Sequence, residues 1–164
     1  MTPELHRPVA TDRIGPDGLS VTVEAREPER IALARRLGLP ALLSLRCSFD
    51  LRRMPGEAFG AEGRLEARVV QTCVVSLEEF EADIDEVFSI RFVPEGSESD
   101  DLDPDSPDEI PYANGFIDLG EAAAEQIALS LDPYPRRPGA VIPGTEGEVP
   151  LHPFAVLAAL KRSH

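Results

Sequence analysis

The sequence predicts one α+β domain spanning residues 1–164, an antiparallel β-meander packed by about three helices and carrying a long acidic loop. Three features point there. Residues 43–53, 65–69 and 82–93 alternate apolar with polar side chains at a period of two, as half-buried strands do. Residues 28–37, 119–131 and 153–161 repeat their apolar side chains at helical spacing instead. A hydrophobic share of 42% over 164 residues is enough for a single core of ordinary size.

In chain order, Leu19 to Ala25 reads as a short strand with Val21 and Val23 on one face, after the turn residues Gly15, Pro16, Asp17 and Gly18. A helix follows: Pro28 suits its first position, Ile31, Ala34 and Leu37 form its stripe, and Gly38 with Pro40 ends it. The next strand sets Leu43, Leu45, Cys47, Phe49 and Leu51 against Ser44, Arg46, Ser48, Asp50 and Arg52. Beyond a connection holding Pro55, Gly56, Gly60 and Gly63, Leu65, Ala67 and Val69 alternate with Arg64, Glu66 and Arg68, which predicts an antiparallel hairpin. A third strand from Ala82 to Val93 points Ile84, Phe88, Ile90 and Phe92 inward and Asp83, Asp85, Ser89 and Arg91 outward. Glu86 falls on the inward side, so that end is expected to fray or bulge.

Residues 95–111 are acidic and contain prolines, with too little apolar surface to offset the entropy of ordering them; they read as a mobile loop. Asp118 and Glu121 have the spacing of a capping box for a helix with the stripe Leu119, Ala123, Ile127 and Leu131, ended by Asp132 and Pro133. Residues 134–150 are rich in Pro and Gly and read as irregular. A C-terminal helix over 151–162 places Phe154, Leu157 and Leu160 on one face, with Lys161 and Arg162 complementing its dipole.

The net charge of −14 is unevenly spread. Residues 1–75 carry 11 basic and 10 acidic side chains, residues 76–111 carry 1 and 14, and residues 112–164 carry 4 and 6. The acidity therefore belongs to one strand and the loop after it. Cys47 and Cys73 lie far apart in apolar, strand-like runs and read as buried thiols of a reducing cytosol. No stretch reaches the ~20 apolar residues of a membrane span, and the first residues lack a signal-peptide core, so a cytoplasmic protein is expected.

No set of residues assembles an active site, which predicts a protein that binds and does not catalyse. Asp101, Asp103 and Asp105 match the start of a calcium loop, but Ser106 replaces its glycine and Tyr112 stands where its bidentate Glu belongs. Asp83 and Asp85 share an outward strand face, the ordinary place for solvated charge. His6, His152 and His164 lack ligand spacing; no metal, cofactor or small-molecule substrate is expected. The polar face of the hairpin is richer. Arg46 and Arg52 on one strand lie near Arg64 and Arg68 on the next, with Arg53 at the turn. Arginine suits bidentate contact with phosphate, while the interleaved Asp50 and Glu66 suit pairing within a charged face, and both readings stay open. With 5% aromatic residues and no Trp, a stacking platform for single-stranded nucleic acid is not expected.

The segment Leu65 to Val93, with Cys73, Leu77 and Phe80 before an acidic strand, leads to Ile117-Asp118-Leu119 opening a helix that runs into Leu131-Asp132-Pro133. Together with Pro153-Phe154-Ala155-Val156-Leu157 and Leu160-Lys161-Arg162, this order of motifs resembles the YceD family from about Leu43 to Arg162. The resemblance implies a ribosome-biogenesis factor associated with accumulation of large-subunit ribosomal RNA, whose partner is that RNA or a large-subunit ribosomal protein. Many members are similar in having Cys-x-x-Cys before the Phe, and some add a later cysteine pair that would clip a metal. Here Ser76 takes the second position and no cysteine follows Arg137, so Cys73 reads as a core thiol without a metal.

Under this resemblance the RNA-contact candidates are Arg46, Arg52, Arg53, Arg64 and Arg68. The alternative is a protein–protein adaptor that docks through the acidic segment or through Phe154, Leu157, Leu160, Lys161 and Arg162, with no direct RNA contact. That same helix face would equally suit the protein's own sheet.

Overall fold

The computed structural model of the chain describes residues 4–97 and 107–139. In chain order the elements are β1 (Pro8–Ala10), a 3-10 turn (Thr11–Arg13), β2 (Leu19–Glu24), α1 (Glu27–Leu37), β3 (Ala41–Met54) and β4 (Ala58–Thr72). They continue with β5 (Glu79–Pro94), β6 (Asp108–Tyr112), β7 (Phe116–Asp118) and α2 (Leu119–Ser130). A five-stranded sheet runs in the order β2-β3-β4-β5-β6, and β1 pairs with β7 in a small second sheet. Strands β2 to β5 are antiparallel neighbours, while β6 joins β5 in parallel.

This corrects the expected meander packed by about three helices. The fold is strand-rich, and two α-helices lie among the described residues. The expected third, over 151–162, falls outside them, along with Phe154, Leu157, Leu160, Lys161 and Arg162. Part of the expected acidic loop is a strand instead: Asp108–Tyr112 closes one edge of the sheet. The reason is apolar surface that the acidic composition hid. Ile110 packs on the core, and the Tyr112 ring meets Phe59 edge to face at 5.7 Å.

One face of the sheet buries Cys47, Phe49, Leu51, Phe59, Leu65, Val69, Ile90 and Phe92. Leu119, Ala123 and Ile127 of α2 cover that face, with Leu5, Ile14 and Leu33 completing the core. The helix stripe of α2 is therefore as its spacing predicts. In α1 the buried pair is Leu33 and Ala34, and Ile31 is half exposed. Gly38 ends α1 in the left-handed conformation, φ 70°, which only glycine adopts without strain.

Three further expectations change locally. An irregularity in the β3–β4 register between Leu42 and Ser44 turns Leu42 to the core and leaves Leu43 exposed. Gly60 and Gly63 belong to β4, so the β3–β4 connection shrinks to 55–57. Gly63 has a steric reason to lack a side chain: a Cβ there would sit 2.2 Å from Cζ of Phe88, whose ring also meets Phe49 edge-on at 5.8 Å. Glu86 neither frays nor bulges the strand. Register is unbroken from Phe59↔Phe92 to Thr72↔Glu79, and the Ser130 hydroxyl donates to Glu86 Oε2 at 2.8 Å.

Asp118 caps α2, accepting from the backbone N–H of Gly120 at 3.0 Å and of Glu121 at 3.2 Å. Glu121 does not complete the box; its carboxylate goes to Arg36 at 2.9 Å. The Asp118 carboxylate instead takes the Arg7 N–H at 2.8 Å and meets His6 Nδ1 at 2.6 Å, which ties the beginning of the described chain to α2.

Candidate functional site

The face of the sheet opposite the core carries the candidate arginines. Alternation puts Arg46 and Arg52 of β3 there with Arg64 and Arg68 of β4, and cross-strand register sorts them into rows. One row reads Glu24, Arg46, Glu66, Asp85; the next reads Ser44, Arg68, Asp83. Together with Arg30 of α1, these rows line a shallow hollow of ≈ 590 Å³.

Every one of these arginines has a partner. Arg64 forks onto the two carboxylate oxygens of Asp85 at 2.9 and 2.8 Å. Hydrogen bonding to Asp85 raises the pKa of Arg64 and lowers that of Asp85. Arg68 reaches Glu81 at 3.1 Å and Asp83 at 3.5 Å, Arg46 lies 3.7 Å from Glu24, and Arg52 lies 3.9 Å from Glu62. Arg53 leaves this face altogether: its Nε donates to the Ile14 carbonyl and its guanidinium lies over the Phe59 ring. The structure thus gathers Arg46, Arg64 and Arg68, leaves Arg52 near the β3–β4 turn, and turns Arg53 away.

Carboxylates exceed cations along the last long strand. Among the described residues, the outward side chains Glu79, Glu81, Asp83 and Asp85 of β5 meet two cations of β4, Arg64 and Arg68, while Glu66 stands opposite Asp85. The period-two signal that starts at Glu79 was available in the sequence, where Phe80, Ala82 and Ile84 alternate with those acids; it marks a strand longer than 82–93.

The two cysteines differ. Cys47 is buried within the core, and burial pushes its thiol up to about 12. Cys73 is equally hidden from solvent, as a buried thiol should be, but sits in the turn after β4, outside the main core cluster. Its Sγ accepts from the Ser76 N–H at 3.4 Å. The Ser76 side chain, the Ser76 backbone and the Arg137 backbone hold it down to about 6, outweighing burial. The turn is stitched to the chain after α2 by Val74 N–H donating to the Pro135 carbonyl at 2.9 Å, and Leu77 within it has φ 62°.

Among the described residues no group of three or more His, Cys, Asp or Glu side chains is placed to hold a metal ion, and no helix is long and apolar enough to cross a membrane. Asp101, Asp103, Asp105, His152 and His164 lie outside the described residues. Over residues 61–161 the chain matches the model of a family described as Large ribosomal RNA subunit accumulation protein YceD. No curated protein and no solved structure matches it.

Proposed function

The chain belongs to the YceD family, described as large ribosomal RNA subunit accumulation proteins, and from that premise we propose a non-catalytic cytoplasmic factor that supports this accumulation by binding a large-subunit component. Of the two partner classes, RNA and ribosomal protein, a basic ribosomal protein is the better fit. The observation that carries the choice is the pairing of the sheet-face arginines with carboxylates. A phosphate approaching Arg64 meets Asp85 already bound in the bidentate position, with Glu66 in the neighbouring row. A basic partner meets the carboxylates of β5 that Arg64 and Arg68 leave unbalanced.

Direct RNA contact through Arg46, Arg52, Arg53, Arg64 and Arg68 is the competing reading, and charge reversal separates the two. Deleting the gene should lower large-subunit RNA relative to small-subunit RNA in sedimentation profiles. Restoring it as Asp83→Lys with Asp85→Lys should fail to rescue and should lose salt-sensitive capture of a basic large-subunit protein, while Arg46→Glu with Arg68→Glu should rescue. The opposite pattern, with crosslinked RNA lost in the arginine variant, would establish the RNA reading. Unchanged profiles on deletion would sink both.

A further inference from the structure

Strand β5 is 16 residues long and pairs with β4 from Glu79 to Phe92. On its other side β6 covers only Ile90 to Pro94. From Glu79 to Ser89 no strand among the described residues takes that side, so every second residue there turns its N–H and C=O to an open edge. Exposed edges are usually blunted by shortness, proline or a bulge. This one is long, proline-free and unbulged.

Its two faces specify what would pair with it. On the core side Phe80, Ala82, Ile84 and Phe88 are only partly covered. On the other side stand Glu79, Glu81, Asp83 and Asp85, followed by Val87, which is 80% exposed. An incoming strand would extend the backbone ladder, set apolar side chains beside Phe80 and Ile84, and set basic ones beside Asp83 and Asp85. A second copy of this chain joining through the same edge would oppose acid to acid, and residues 98–106, with Glu98, Asp100, Asp101, Asp103 and Asp105, carry the same sign.

We infer that the free edge of β5, Glu79 to Ser89, receives an extended segment of a basic partner protein as an added strand whose basic and apolar residues alternate. This rests on the reading above that the partner is a basic protein, and it adds the site and the mode of binding.

The test uses the purified full chain and a synthetic peptide of about ten residues alternating lysine with valine, long enough to span the free edge. Two comparators keep its charge: a block-ordered peptide of the same composition, and alternating peptides N-methylated at every second amide in either parity. The alternating peptide should bind and slow amide exchange at alternate positions between Glu79 and Ser89. Methylation in one parity should weaken it about tenfold or more and in the other little, because only one parity donates to the ladder. Asp83→Lys with Asp85→Lys should cost about tenfold, with circular dichroism confirming the fold. Equal binding of the block-ordered peptide or of both methylated forms, protection elsewhere, or no binding overturns the inference. Because this assay involves no ribosome, the edge can fail while deletion still lowers large-subunit RNA, and the reverse result would retain the edge and reject the functional reading.

Discussion

Between Ile90 and Phe92, strand β5 has β4 on one side and β6 on the other, and Ile90, Phe92 and the following Val93 are buried. Between Glu79 and Ser89 it has β4 alone among the described residues, and the inward side chains Phe80, Ala82, Ile84 and Phe88 are only partly covered. Both halves alternate apolar with polar residues, save for Glu86 on the inward side and Val87 on the outward side of the second. The difference is that alternation chooses a face, whereas a second strand neighbour completes the burial. One half of the strand is committed to stability, and the other retains hydrogen-bonding groups and charge at the surface.

The largest expected effect follows directly. Phe92→Ala should cost about 3–5 kcal/mol in urea unfolding, and Ile84→Ala less than about 2 kcal/mol, since part of that side chain is already in contact with water. Equal losses would erase the distinction between the two halves.

The cysteines extend the comparison to pH. Cys73, in the turn that leads into the open half, is held at about 6 against an ordinary value of 9.0, so the folded state favours its thiolate. Its contribution is full above pH 9 and disappears as the pH falls to about 6. Cys47, in the closed centre, is pushed up to about 12, so the folded state favours its thiol and stability falls as the pH rises above 9. Urea midpoints of Cys73→Ala should therefore lack the rise from about pH 6 to 9 expected of the parent chain, while Cys47→Ala should retain it. A parent chain with no such rise would mean that the N–H groups around Cys73 do not hold a thiolate.

The smallest effect concerns the charge pairs. Arg64 and Asp85 are each more than half exposed, so a double-mutant cycle should couple them by less than about 1 kcal/mol, falling further in salt. A coupling above about 2 kcal/mol would show that the open half is held by its own ion pairs and has less charge to offer a partner.

Much of this architecture was readable locally. Strand β2, the alternation of Leu45, Cys47, Phe49 and Leu51, the end of α1 at Gly38, and the stripe of α2 all follow from side-chain spacing within one element. The arginines of the outward face were legible in the same way, because strand periodicity assigns residues to faces. Their neighbours were not. That Arg64 meets Asp85 and not Glu66, and that Arg53 turns toward Ile14 and Phe59, depends on register between segments far apart in the chain. The same holds for Cys73, whose hydrogen bonding includes the backbone of Arg137 on the far side of α2.

By itself, then, the order of apolar and polar residues determined which segments extend, which coil into helices, and where the acidity lies along the chain. Only the tertiary structure decided that β6 adds in parallel at one end of β5, that the other end stays open among the described residues, and that the sheet-face arginines are already paired. The physical reason is range. Periodicity is set by each residue's own backbone geometry, while strand neighbours and ion pairs are set by which distant segments the core brings together.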